Sequence, residues 1–137
     1  MKRLALIAFV ILLAGCGSNN RGTYDLFLIP EHYEGIIRVT YNVPNAPLLS
    51  KEGKYDVIPV GDKGRYDTST PMFDAGTVIN RYYYVNREGK RMDIDPSCIN
   101  VRGTGGTDID GVRTHFTEIE VTSTACSDRF KFKGSAP

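Results

Sequence analysis

The chain has no tryptophan, two histidines and three cysteines among 137 residues, and each scarcity removes a class of function. No two cysteines stand at Cys-x-x-Cys spacing, so neither a thioredoxin-like dithiol nor a zinc ribbon has its ligands. His32 and His115 are the only imidazoles, and neither has a partner ligand at helical spacing. No Gly-x-Ser-x-Gly elbow marks a serine nucleophile. Charge bias is absent too: 17 Lys and Arg stand against 16 Asp and Glu. A near-neutral chain has no bulk attraction for nucleic acid, so no nucleic-acid partner is expected. No apolar run reaches the roughly 20 residues of a membrane-spanning helix. No cofactor or resident metal is expected from this inventory.

What is present begins at the N-terminus. Met1-Lys2-Arg3 precedes an unbroken apolar run of ten residues, Leu4 to Leu13. A positive segment before a short apolar one is the pattern of a secretory signal peptide. The run leads into Leu13-Ala14-Gly15-Cys16, which resembles the lipobox of bacterial lipoproteins. The resemblance implies cleavage before Cys16, a diacylglycerol on its thiol and acylation of its new amine. One acyl chain binds a membrane marginally, whereas two or three hold it stably. Residues 1–15 are therefore expected to be signal peptide, and 16–23 a lipidated cysteine with a short polar tether. Residues 24–137 are expected to form one domain. Gly17 stands where an Asp would retain a lipoprotein in the inner membrane. The expected address is the bacterial outer membrane or the outer face of the cytoplasmic membrane. The membrane, through Cys16, is thus the first expected partner, and an envelope protein or glycan the second.

Removal of residues 1–15 leaves 122 residues, enough for one globular domain. With Cys16 committed to lipid, Cys98 and Cys126 remain in an oxidising compartment and are expected to form a disulfide. Closing a loop of about 29 residues, the bond is worth ~3.5 kcal/mol in the chain-entropy account.

Seven Pro and 14 Gly punctuate the chain and leave no window for a long helix. The runs between them read as strands. Ile37, Val39, Tyr41 and Val43 alternate with Arg38, Thr40 and Asn42, giving one apolar face. Tyr24, Leu26 and Leu28 alternate with Asp25, Phe27 and Ile29, apolar on both sides, as in a central strand. Further strands are expected at Tyr55–Val60, Val78–Val85, His115–Val121 and, through Phe130 and Phe132, at the C-terminus. Gly61–Gly64 and Asn86–Gly89 sit where hairpin turns would fall. The expected fold is all-β, a single-domain antiparallel β-sandwich, with a small β-barrel as the alternative.

The segment Leu28-Ile29-Pro30-Glu31-His32-Tyr33-Glu34-Gly35 resembles a family of small bacterial surface proteins of unknown function. Their signature is an Ile-Pro-Glu-Gly-Tyr-x-Gly turn between two strands. Tyr55-Asp56-Val57-Ile58-Pro59 and the Tyr82–Gly89 region fit the same pattern, so the resemblance spans about residues 26–95. It departs at His32, where the family has Gly. The resemblance implies a fold module and no chemistry.

Four constellations bear on function. His115 with Asp108, Asp110 or Glu118 would furnish a small envelope hydrolase or metal-dependent enzyme, if those side chains converge. An EF-hand starting at Asp108 fails, because its fifth and twelfth places hold Val112 and Ile119. A calcium site of another kind would draw on Asp93, Asp95, Asp108, Asp110, Glu118 or Glu120. The Arg102-Gly103-Thr104-Gly105-Gly106-Thr107 run reads as a flexible connection, with anion binding beside Arg102 and Arg113 as the functional alternative. In Tyr82-Tyr83-Tyr84 one ring must oppose the other two on a strand, so the triple cannot make one exposed aromatic face. With no catalytic residue assigned, the favoured expectation is a non-enzymatic binding or structural module of the cell envelope. The enzyme built on His115 is the alternative. One measurement bears directly on the cysteines: the oxidised chain is expected to gain two hydrogens in mass on reduction, and an unchanged mass would mean two free thiols.

Overall fold

The computed structural model describes residues 23–72 and 78–134. The lipobox and Cys16 lie outside the described residues. Chain alternation sets the architecture. Inward side chains of β1 (Asp25–Pro30), Phe27 and Ile29, are almost fully buried, as are Ile37 and Val39 of β2 (Gly35–Tyr41). These four meet in one core shared by two sheets, and that makes the fold an all-β sandwich. The larger sheet contains β1, β3 (Ser50–Glu52), β4 (Tyr55–Pro59), β6 (Arg81–Val85) and β7 (Arg91–Asp93), in the order β3-β4-β1-β6-β7. The smaller contains β2, β5 (Arg65–Asp67), β8 (Ile99–Ile109) and β9 (Val112–Val121), in the order β5-β2-β9-β8.

The sheets are mixed, not antiparallel. β1 runs parallel to both β4 and β6, and β2 parallel to β5. The reason lies in the connections. The chain passes from β1 to the other sheet in β2, returns in β3 and β4, and leaves again in β5. β4, β5 and β6 each reach a sheet on a later visit and run parallel to the strand they join, whereas β3 enters antiparallel and turns back into β4. Gly61–Gly64 is therefore a tight turn, closed by Gly64 N–H on Gly61 O at 2.9 Å, but not a hairpin. It carries the chain from one sheet to the other. Asn86–Gly89 does join an antiparallel pair, β6 and β7.

Two further segments differ from expectation. The glycine-rich Arg102–Thr107 lies inside β8 and is not a loose connection. Its glycines make room for side chains of β9: a Cβ on Gly105 would sit 2.4 Å from the Phe116 ring, and one on Gly106 3.0 Å from the Arg113 guanidinium. Phe130 and Phe132 belong to no strand, for residues Asp128–Lys131 form a single helical turn, α1. Ser127 caps it by accepting the Phe130 N–H, and the buried Asn100 amide donates to the Lys131 and Lys133 carbonyls.

The turn between β1 and β2 ties one end of the sandwich together. Tyr33 N–H donates to Pro30 O at 3.0 Å, with His32 at φ 68° in the third place. A positive φ there is the glycine-favouring position of a type II turn. Tyr33 donates its hydroxyl to Ile36 O at 2.7 Å and covers Gly64 so closely that any Cβ on Gly64 would collide with it. Glu34 Oε1 accepts from Ser123 N–H at 2.6 Å and Thr124 N–H at 3.1 Å. The Ser123, Thr124 and Thr122 hydroxyls donate to the same oxygen. The Ser123 backbone bond, with these hydroxyls, holds the carboxyl down at about 2. At the same end the structure bonds Cys98, on the 3-10 turn before β8, to Cys126, with Cα atoms 4.3 Å apart.

His32→Gly is expected to stabilise the fold by about 0.5–1 kcal/mol, because glycine meets no Cβ penalty at positive φ. Urea titrations of the two proteins check it; an unchanged midpoint would show that His32 has contacts that offset its backbone strain.

Candidate ligand cleft between the sheets

The period of two that buries Phe27 and Ile29 also points Asp25 inward. Strand register then fixes its neighbours. Asp25 lies opposite Asp56 on β4, and Asp56 opposite Lys51 on β3. On the other side Asn80 directly precedes β6, whose Arg81 lies opposite Leu26. A polar row, Lys51–Asp56–Asp25–Asn80, thus crosses the inner face where the apolar core ends. The next row inward is Ile58–Phe27–Tyr82, in which the Phe27 and Tyr82 rings stack at 5.1 Å.

The two sheets part beyond that row and leave a cleft of about 830 Å³. The smaller sheet supplies Tyr41, Thr117 and Ile119 as its far wall. The rim is apolar: Leu48, Val78, Ile79 and Val101 are 71, 62, 44 and 65% exposed. The volume falls within the roughly 300–1,000 Å³ of small-molecule sites, which combine apolar walls with a few placed polar groups.

The polar groups are unequally served. Asp56 has an ion pair with Lys51 at 2.7 Å. Asp25 has, among the described residues, only the Tyr41 hydroxyl, at 3.5 Å. Burial pushes the Asp25 carboxyl up to about 6, and the neighbouring Asp56 charge adds to the effect. Burial likewise raises Tyr41 and Tyr82 above the usual phenol range. Asn80 donates to the Tyr82 hydroxyl at 3.1 Å, while its carbonyl oxygen is buried without a partner among the described residues. Such an oxygen costs stability unless a donor reaches it.

Of the residues singled out around His115, only Glu118 reaches the cleft margin, and the others do not line it. His115, half-buried, is placed between Tyr41 and Gly106 in the ladder of the smaller sheet. Glu118 is engaged by Arg38 at 2.8 Å, and Glu120 by Arg102 at 3.1 Å. Asp108 faces Arg113 at 3.4 Å, and Asp110 with Gly111 forms the β8–β9 turn, both at positive φ. Asp95 caps the 3-10 turn, accepting from Ser97 N–H at 2.8 Å. Among the described residues, no three His, Cys, Asp or Glu side chains gather as metal ligands. An enzyme assembled from His115 and these acids therefore has no geometric basis. Asp25 escaped the sequence reading, although a carboxylate in a strand apolar on both faces is itself a signal.

Residues 21–130 match a family of unknown function (DUF6843). The fold is similar to that in a 2.75 Å crystal structure of a candidate lipoprotein from Bacillus anthracis, 43% identical in sequence. That similarity has a TM-score of 0.78 and covers 85% of this chain and 81% of the other. No match was found among curated proteins.

Since Asp25 has a higher pKa folded, about 6, than its ordinary 3.8, the folded state binds the proton more tightly. Its contribution to stability is full below about pH 4 and declines as pH rises through about 6. Asp25→Asn is expected to stabilise the fold by about 1–2 kcal/mol at pH 7 and hardly at all at pH 4. Denaturant melts at the two pH values check this, and a pH-independent effect would place the carboxyl in solvent.

Proposed function

We propose that this chain, which belongs to the DUF6843 family of unknown function, is a lipid-anchored extracytoplasmic binding module whose ligand lies in the cleft between the sheets. The single observation that carries the binding role is the under-served polar row at the cleft's floor. A carboxyl held up at about 6 and a buried carbonyl oxygen without a donor both weaken the folded state. Groups kept at such a cost recur at functional sites, where a ligand supplies the missing partners. The lipid anchor rests on the Leu13–Cys16 lipobox and on the similarity to a candidate lipoprotein. The role in this reading is binding, with the polar row holding a ligand. An envelope glycan, protein segment or amphiphile is the class of ligand that such an address offers.

Two measurements test the proposal. Fatty-acid labelling is expected on the wild-type chain and absent from Cys16→Ser, which would leave the membrane fraction. Equal labelling of the variant would remove the anchor. For the cleft, a ligand at ~100 times its dissociation constant adds ~2.7 kcal/mol of stability. Stabilisation found with the wild type is expected to be lost in Thr104→Trp, a bulky change at an exposed cleft position on β8. A ligand that stabilised both proteins alike would bind somewhere other than the cleft.

A further inference from the structure

The strand directions fix where the cleft opens relative to the anchor. β1, β4 and β6 all start at the cleft and run away from it, while β2 ends there at Tyr41. Thr23, directly before β1, lines the cleft. Thr23 is the seventh residue after Cys16. At ~3.3–3.6 Å per residue, a fully extended tether spans about 25 Å. An anchored chain would leave for the bilayer from the cleft end, with the Glu34 turn and the Cys98–Cys126 bond at the other end of the strands. The exposed Val78 and Ile79, directly before β6, stand at the mouth at that same end, while Val101, level with Ile119 and Ile37, lies further along the cleft toward the Glu34 turn.

The interior specifies the chemistry of an occupant. Lys51 and Asp56 satisfy each other. Among the described residues, Asp25 has one long hydrogen bond, from Tyr41, and the Asn80 carbonyl oxygen has no donor. The complement is a positively charged group that donates hydrogen bonds, attached to an apolar body that lies along Phe27 and the mouth. We propose that the cleft takes from the bilayer an amphiphile with a primary ammonium head, which donates to Asp25 and Asn80 while its hydrocarbon runs out through the apolar mouth. This rests on reading the cleft as the ligand site and Cys16 as the anchor.

Asp25 controls the pH response. The groups facing it are Asp56 on β4, Lys51 on β3, Tyr41 on β2 and Tyr82 on β6, with Glu118 of β9 and Lys131 of α1 also lining the cleft. An alkylamine stays protonated near its ordinary value of roughly 10. Among the groups lining the cleft, Asp25 is the one held at about 6, and binding weakens between pH 7 and pH 5 as it takes up its proton.

The test uses the full lipid-bearing chain in phosphatidylcholine vesicles, whose quaternary head has no N–H to donate. The probes are a brominated octadecylamine and the matching octadecanol. The readout is quenching of tyrosine emission, since the chain has no tryptophan and Tyr41 and Tyr82 line the cleft. The amine is expected to quench with an affinity roughly tenfold or more above the alcohol, the scale of one charge-assisted hydrogen bond. Asp25→Asn and a drop to pH 5 should each erase that preference. Asp25→Asn is also expected to fold more stably than the wild type, so its loss of binding cannot be loss of structure. Equal quenching by amine and alcohol, or an Asp25→Asn variant that keeps the preference, overturns the ammonium assignment. If neither probe quenches, the amphiphile inference is overturned; a Thr104→Trp-sensitive response to another ligand would then keep the cleft as a site, and no such response would remove both readings.

Discussion

Burial of β1 on both faces is the constraint from which the rest of the fold follows. Phe27 and Ile29 point into the sandwich, while Leu26, on the opposite face, is equally buried beside Tyr55 and Val57. Burying each such side chain is worth ~1.5–3 kcal/mol, so the strand's placement is strongly determined. Side chains alternate with a period of two, and a one-residue slip would turn every one to the wrong side. Asp25 has no freedom within this pattern. The parity that hides Phe27 forces the carboxyl to the inner face, at the point where the core gives out. Core and cleft are thus two consequences of one register.

Burial on the outer face needs its own cover, because no layer of secondary structure packs there among the described residues. Glu52 on β3 and Arg91 on β7 belong to opposite edges of the five-stranded sheet, yet meet through two hydrogen bonds of 2.8 Å. Four strand spacings would separate those edges by roughly 19 Å in a flat sheet. The sheet must therefore curl around its outer face. Within the curl, Lys54 lies over the Tyr24 ring at 4.3 Å and Arg81 over Tyr55 at 4.8 Å. Aliphatic stems and aromatic edges exclude water from Leu26 while the charges stay wet. The Glu52–Arg91 pair is exposed and adds little energy by itself. Its geometry closes a cover that the aromatic residues fill.

Much of this was legible in the sequence wherever the cause was local. Alternation in 24–29, 37–43 and 115–121 marked strands and their apolar faces, and the two-faced run of β1 marked the centre of a sheet. The Asn86–Gly89 hairpin was legible because its side chain and glycine do the work themselves: Asn86 Oδ1 accepts from Lys90 N–H, and Gly89 takes φ 82°. What failed were features decided by distant partners. Gly61–Gly64 has hairpin chemistry, but the strand after it pairs with β2, some thirty residues upstream. The glycines of β8 suggest slack only until Phe116 and Arg113 are seen lying across them. Phe130 and Phe132 alternate with Lys as a strand would, and over so few residues the Ser127 cap and the Asn100 clamp decide for a helical turn. The cleft was least legible of all. Its row of Lys51, Asp56, Asp25 and Asn80 is assembled across adjacent strands, and parallel pairing cannot be read from turn residues.

The molecule is polarised along its strands, and the two ends differ in how their polar groups are satisfied. At the far end one Glu34 oxygen collects five donors, and the Cys98–Cys126 bond fixes the chain entering β8 to the chain leaving β9. At the cleft end Asp25 has one long hydrogen bond, and Asn80 has an acceptor with none. The same strands run through both, so the well-tied end holds the sheets in register while they part at the other. The covalent and hydrogen-bonded staples of the far end fix where β2 and β8 begin. The far end has its own unserved group, for Asn100 Oδ1 is buried there without a partner among the described residues, and the open end is the one from which the chain departs toward Cys16.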